Sequence, residues 1–125
     1  MKKFLILVAA AAIFLITGCA GGVKTYSDPG QIISVSLNQE FIVALSSNPT
    51  TGYTWQENYD EAMLKLVEKT YEQSKEAKPP VVGAGGTEFF RFQALKAGET
   101  KITMVYMRTW EAQSADHKVF TVKIK

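Results

Sequence analysis

Few side chains in this chain could carry out covalent or metal chemistry. The sequence has one cysteine, Cys19, and one histidine, His117, which we expect to begin the last strand. Its acidic residues are scattered, and Asp60 and Glu61 are typical of a solvated turn. A metal site needs several ligands at suitable spacing, and no such cluster is visible in the sequence. We therefore expect a binding protein with no enzymatic activity, no cofactor and no metal.

Cys19 lies where its thiol could be acylated. Two lysines precede an unbroken apolar run over residues 4–16, which is shorter than the ~20 residues that span a bilayer and is typical of a signal peptide. Two small residues and Cys19 follow, a pattern that resembles the lipobox of bacterial lipoproteins. This resemblance implies cleavage before Cys19 and a lipid anchor on its sulfur. We expect the chain on the periplasmic or outer-surface face of a bacterial membrane.

Three later segments have residue types that suit binding. In residues 48–53 a proline fixes φ and a glycine permits positive φ, so the segment is stiff and loses little entropy on binding. Residues 83–86, Gly-Ala-Gly-Gly, would let the backbone lie close to another surface. Arg108 and Trp110 are of the types most frequent among interface hot spots. Taken singly, the first segment could be a self-satisfied turn and the glycines a flexible link.

The segments around these loops alternate apolar and polar residues with a period of two. Such alternation is typical of half-buried strands, and turn residues separate the segments. Trp55 lies inside one of them and is expected in the core, whereas Trp110 follows a strand end and is expected outside. The pattern predicts an all-β, immunoglobulin-like β-sandwich of about seven antiparallel strands. We place them at residues 31–37, 40–46, 53–58, 65–71, 87–95, 99–107 and 117–125.

Residues 60–77 allow two interpretations. Met63, Leu64, Val67 and Tyr71 fall at helical spacing, and Asp60 could cap a helix, so the local sequence slightly favours a helix. We nevertheless predict a short turn over residues 60–63 and then a strand. A lone amphipathic helix among six strands would need its own docking site.

If each strand reverses the direction of the last, alternate loops lie at the same end of the sandwich. The second, fourth and sixth loops span residues 47–52, 72–86 and 108–116, and they include the three segments that suit binding. The other three loops are short or plain. Because binding residues collect on loops held by a rigid scaffold, we expect one binding end.

Together the three loops resemble the chagasin family, which inhibits papain-like cysteine peptidases. The family pattern is Asn-Pro-Thr-Thr-Gly-aromatic, then Gly-x-Gly-Gly, then Arg-Pro-Trp, and the likeness covers nearly all of residues 31–125. The departure is Thr109, where the family usually has proline. The peptidase-binding residues that this resemblance implies are Asn48, Pro49, Thr50, Thr51, Gly52, Tyr53, Gly83, Gly85, Gly86, Arg108 and Trp110.

The resemblance also implies a mechanism of reversible, steric inhibition. The loop of Thr50 and Thr51 would block the catalytic centre of a papain-like cysteine peptidase. Gly85 and Gly86 would let their loop follow one side of the cleft, and the pair of Arg108 and Trp110 would clamp the other. The alternative is a carbohydrate-binding or structural envelope lipoprotein with the same kind of domain.

The chain divides into a signal peptide over residues 1–18, a lipidated flexible tether over 19–30, and the inhibitor domain over 31–125. Removing the two lysines of the signal peptide from the 14 basic residues leaves 12, against 12 acidic residues. This balance gives no basic stripe, so nucleic acid is not an expected partner. We expect a monomer.

Overall fold

The computed structural model describes residues 22–74 and 85–125, which form eight strands in two four-stranded sheets. The sheet orders are β1-β3-β6-β5 and β2-β8-β7-β4. The strands are β1 Lys24–Tyr26, β2 Ile33–Val35, β3 Glu40–Ser47, β4 Thr54–Tyr59, β5 Leu64–Gln73, β6 Gly86–Ala94, β7 Gly98–Met107 and β8 Ser114–Ile124. These residues include no helix long and apolar enough to cross a membrane. The predicted all-β sandwich is confirmed.

The core lies between the two sheets and follows the alternation in the sequence. On β6, Phe90, Phe92 and Ala94 are fully buried, while the intervening Arg91 and Gln93 are only half-buried. Burial of each large apolar side chain stabilises the folded state by about 1.5–3 kcal/mol. Trp55, predicted to lie in the core, is 3% exposed. The largest fully buried side chains are Phe41, Phe90, Phe92, Phe120, Ile33, Leu64, Ile102, Met104, Val43 and Val122.

The beginning of the domain differs from the prediction in two ways. Strand β1, Lys24–Tyr26, lies in the segment assigned to the flexible tether and pairs in parallel with β3. Tyr26 is 6% exposed and its ring packs edge-on against Phe41, so one buried aromatic residue fixes this strand. Strand β2 pairs in parallel with β8, so the sandwich is not wholly antiparallel. Strand β2 lies within the predicted strand over residues 31–37, whereas the three residues of β1 are too few for alternation to reveal a strand.

The turn and strand predicted within residues 60–77 are confirmed. Asp60 closes the turn, because its carbonyl accepts hydrogen bonds from the N–H groups of Met63 and Leu64, both at 3.0 Å. Strand β5 then pairs with β6, with an irregularity in register between Leu66 and Glu68. Val67 and Tyr71, which suggested helical spacing, are 43% and 40% exposed and form no buried stripe.

Side chains of one sheet hold the edge of the other beside Trp55. Strand β4 is an edge strand, and the N–H of Trp55 donates to the carboxylate of the buried Glu88 at 3.0 Å. Lys69 donates to the carbonyl of Trp55 at 3.3 Å, and the indole N–H donates to the carbonyl of Ser46 at 2.9 Å. The bonds from Glu88 and Lys69 satisfy backbone groups of an edge that would otherwise be open for pairing, and the indole bond ties β4 to β3 of the other sheet. They also fix the strand that follows the loop over residues 48–53.

Candidate functional site

The described parts of the three predicted binding loops lie at one end of the sandwich. Ser47, at the end of β3, pairs with Gly86, at the start of β6. Thr54, at the start of β4, pairs with Met107, at the end of β7. These pairings confirm that the loops meet. We call residues 48–53, 85–86 and 108–111 the tip.

Residues 48–53 form a compact turn that satisfies its own polar groups. Pro49–Thr51 is one turn of 3-10 helix, and Gly52 follows with a φ of 86°. The carbonyl of Asn48 accepts hydrogen bonds from the N–H of Thr51 at 3.1 Å and from its hydroxyl at 2.6 Å. The hydroxyl of Thr50 donates to the Asn48 side chain at 2.5 Å. The turn is therefore stiff, as its composition predicts, and both threonines are exposed at its apex.

Tyr106 anchors this turn to the sandwich. Its hydroxyl accepts a hydrogen bond from the N–H of Asn48 at 3.0 Å. Its ring stacks on Tyr53, with centroids 5.3 Å apart, and leans on Trp55 at 4.8 Å. Tyr106 is a site residue that was not predicted from the sequence. One feature of the sequence could have indicated its role: Tyr106 places a hydroxyl group at the last inward-facing position of its strand, where the strand reaches the tip.

Arg108 connects the sixth loop to the second. Its Nε donates to the carbonyl of Thr51 at 3.0 Å, and its guanidinium carbon lies 4.4 Å from the centre of the Tyr53 ring. Its Nη1 donates to Glu111 at 2.8 Å. The hydrogen bond to Glu111 is the main cause that raises the pKa of Arg108, with smaller contributions from the charges of Tyr53 and Glu111. Arg108 thus faces its own chain, and Glu111 joins the site as a residue that the sequence analysis missed.

Trp110 is exposed, as the sequence analysis predicts, and its ring lies against Gly52. Tryptophan has the largest side chain of the standard residues, and that of Trp110 is 70% exposed. A Cβ added to Gly52 would lie 2.4 Å from an atom of the Trp110 ring. Gly52 is therefore required twice, once for its positive φ and once to leave room for the indole. The second and sixth loops present one continuous surface.

Gly86 is required by its own sheet. A Cβ there would lie 2.2 Å from the carbonyl oxygen of Glu72 and 2.6 Å from the hydroxyl of Tyr71, both on β5. Gly85 is less confined, because a Cβ there would lie 3.3 Å from the carbonyl oxygen of Ser47. Gly83 lies outside the described residues. These glycines were predicted to allow close approach to a partner, and for Gly86 the contacts with β5 give a reason within the chain.

The remaining candidates for chemistry do not converge on the tip. His117 lies within β8, which begins at Ser114, so the expectation that His117 begins the last strand is wrong by three residues. The N–H of His117 donates to the Asp116 carboxylate at 2.8 Å. Among residues 22–74 and 85–125, no group of three His, Cys, Asp or Glu side chains could hold a metal ion. Cys19 lies outside the described residues.

Comparison with known proteins matches both the sequence and the fold. The family model for the chagasin family peptidase inhibitor I42 matches residues 34–124. Chagasin of Trypanosoma cruzi is 32% identical over 107 residues, covering 81% of this chain and 94% of that protein. Amoebiasin-1 of Entamoeba histolytica is 33% identical over 92 residues, covering 74% of this chain and 86% of that protein.

Two solved structures share the arrangement of strands. A cysteine protease inhibitor from Entamoeba histolytica matches with a TM-score of 0.69 at 22% identity, over 85% of this chain and all of that one. The solution structure of amebosin matches with a TM-score of 0.64 at 26% identity, over 84% of this chain and 98% of that one. The likeness therefore extends over both sheets.

Proposed function

The chain belongs to the chagasin family of peptidase inhibitors, and on that premise we propose that its tip reversibly occludes the active-site cleft of papain-like cysteine peptidases. The observation that carries this proposal is the bond between loops. Arg108 joins the apex turn at Thr51 to the loop of Trp110, so the surface is assembled before any partner arrives. A surface that is already ordered loses little conformational entropy on binding.

The apex turn is suited to blocking a catalytic centre without being cleaved. A papain-like peptidase attacks a substrate carbonyl with a cysteine thiolate, and the attack needs a close, aligned geometry. In the turn, the carbonyls of Asn48 and Pro49 already accept hydrogen bonds from the N–H groups of Thr51 and Gly52. The backbone is bent and held by these bonds, so it resists the rearrangement that attack would require. Thr50 and Thr51 would fill the cleft while the peptide bonds stay intact.

The residues on either side of the apex turn would add affinity and fix how the tip sits in the cleft. Trp110 offers a large exposed ring that could enter a pocket beside the catalytic centre, as buried aromatic anchors do in other interfaces. On the other flank, Gly85 lies beside Ser47 and would let the backbone approach the peptidase closely. One tip fills one cleft, so we expect a monomeric inhibitor that forms a one-to-one complex.

Inhibition of papain tests the proposal. A soluble form of residues 22–125 should inhibit papain reversibly and leave trypsin active. Residual hydrolysis of a small substrate against inhibitor concentration gives the inhibition constant, and mass spectrometry after long incubation should find the inhibitor uncut. Absence of inhibition at micromolar concentration would remove cysteine peptidases as the target. Rapid cleavage between residues 48 and 53 would make the chain a substrate instead.

We further propose that the chain is exported and anchored by lipid on Cys19. The support is the lipobox-like sequence together with the position of β1. Lys24 pairs with Phe41, near the start of β3 and therefore at the end of the sandwich opposite the tip. The four residues from 20 to 23 could span at most roughly 14 Å. An anchor at Cys19 would therefore hold the domain close to the membrane with the tip facing outward.

Substitution of the cysteine tests the anchor. Cys19→Ala should abolish incorporation of labelled fatty acid and move the protein from the membrane fraction to the soluble fraction, or leave it uncleaved. Inhibition of papain by the domain should be unaffected. Release of the unmodified chain as freely soluble, unlipidated protein would exclude the anchor and leave the inhibitor proposal standing.

A further inference from the structure

The turn that presents Trp110 is closed by two bonds between the same pair of residues. The N–H of Glu111 donates to the carbonyl of Arg108 at 3.1 Å, which closes a four-residue turn with Trp110 in its third position. The Glu111 carboxylate also accepts from the Arg108 guanidinium at 2.8 Å. The exposed indole thus projects from a turn that is fixed through both backbone and side chain.

Thr109 occupies the second position of this turn. Proline is favoured at that position because its ring fixes φ near the value that the turn needs. Threonine leaves the free turn more conformations, and ordering them on binding would weaken the complex. A turn without proline needs another constraint to hold Trp110 in place.

Exposed ion pairs in general contribute little to the stability of a fold, because two long side chains must be ordered to form them. Arg108 differs because it is already ordered by Thr51 and Tyr53, to which it is bonded and stacked. Only the Glu111 side chain has to be ordered to form the pair. The pair therefore attaches the Trp110 turn to the apex turn through a guanidinium that is fixed in advance.

We propose that Glu111 is a positioning residue of the inhibitory surface, which holds the Trp110 turn through Arg108 and does the work that proline would do at residue 109. The inference rests on the proposed function, because the consequence of positioning is read as inhibition. In the free protein, the turn should be ordered before any peptidase is present.

The test combines three variants of the full domain. Glu111→Gln removes the charge and keeps the shape, and it should weaken papain inhibition roughly three- to fivefold. Thr109→Pro added to Glu111→Gln should restore inhibition to within about twofold of wild type, because the turn is again restricted. Glu99→Gln is the matched control, since Glu99 pairs with Lys123 at the opposite end of the sandwich. It should inhibit as wild type does.

Backbone and indole 15N relaxation of the free variants supplies a readout that does not depend on a peptidase. Mobility at Trp110 should rise in Glu111→Gln and fall again when Thr109→Pro is added. Unchanged mobility and inhibition in Glu111→Gln would overturn the inference. So would weakened inhibition that proline fails to restore, with mobility unchanged, because Glu111 would then contact the peptidase directly. If wild type does not inhibit papain, the proposed function fails, and the relaxation data still decide whether Glu111 orders the turn.

Discussion

The two ends of the sandwich are held together by different groups. At the end opposite the tip, which we call the base, the turns over residues 36–39, 60–63 and 94–98 are joined by backbone groups. The N–H of Asn38 donates to the carbonyl of Ala94, and the N–H of Leu95 donates to the carbonyl of Met63, both at 2.8 Å. Such bonds form with almost any residue that can adopt the local backbone conformation.

At the tip, the connections between residues 48–53 and residues 106–111 use side chains. Arg108 donates to the Thr51 carbonyl, and the Tyr106 hydroxyl accepts from the Asn48 N–H. The Trp110 ring covers Gly52. Each connection is lost when the residue type changes. We therefore expect the base to tolerate substitutions that the tip does not, apart from the positive-φ positions Asn38 and Gly98. This difference also explains why the tip could be recognised from residue types while the base looked plain.

The largest expected effect is on the exposed aromatic residue of the tip. Trp110→Ala should weaken papain inhibition at least ~30-fold, the equivalent of ~2 kcal/mol or more, because a hot-spot ring is removed. It should change the melting temperature little, because the ring is 70% exposed. Leu95→Ala, at a base residue that is 41% exposed, is the control and should leave inhibition unchanged. A Trp110→Ala protein that melts far lower but inhibits normally would contradict the comparison.

Gly86→Val tests a tip residue that is constrained by its own sheet and makes no side-chain contact between the loops. Its Cβ would collide with the carbonyl oxygen of Glu72, so we expect unfolding to become easier by about 1–3 kcal/mol. For a domain of this size, each kcal/mol lowers the melting temperature by roughly 4–8 °C. Gly85→Ala should have a smaller effect, because a Cβ there approaches Ser47 only to 3.3 Å. A fully stable Gly86→Val protein would show that β5 and β6 can separate freely at this point.

Two glycines with positive φ, one at each end, sharpen the comparison. Gly52 has a φ of 86° and Gly98 a φ of 137°, so alanine at either position is strained by about 1–2 kcal/mol. Gly52→Ala should also displace Trp110 and weaken inhibition roughly tenfold, a change equivalent to 1.4 kcal/mol. At Gly98 the nearest atom to an added Cβ is the flexible end of Met63, so Gly98→Ala should lower only the stability. Denaturant unfolding and papain inhibition separate the two effects, and equal inhibition by both variants would contradict the assignment of Gly52.

The smallest expected effect is at Asn38 in the base. Its φ is 68°, which both asparagine and glycine accept. Asn38→Gly should change the free energy of unfolding by less than ~0.5 kcal/mol and leave inhibition as in wild type. Thermal melting and a papain assay on the same sample check both. A clear loss of inhibition would mean that the base and the tip are coupled through the sheets.

Much of the fold could be predicted because long strands repeat their pattern. Residues 87–95 and 99–107 alternate over four or more positions, and the structure places β6 and β7 there within one residue at each end. The strand within residues 60–77 was harder, because Val67 and Tyr71 are exposed and mimic helical spacing. The short strand β1 was not predicted, since three residues show too little alternation. Strand β2 lies within the predicted strand over residues 31–37, but its parallel pairing with β8 was not foreseen.

The sequence by itself determined which loops meet at one end and which residues we propose for recognition. Proline, glycine, arginine and tryptophan have distinct local chemistry, so their types and order are visible without coordinates. Only the tertiary structure decided how these residues act on one another. Arg108 bonds to Thr51 and Glu111, and Tyr106 anchors Asn48. Gly86 leaves room for the backbone and Tyr71 side chain of β5. Most of these contacts join segments that are distant in the sequence. Such contacts are fixed by sheet pairing and packing, which bring together residues that local chemistry cannot relate.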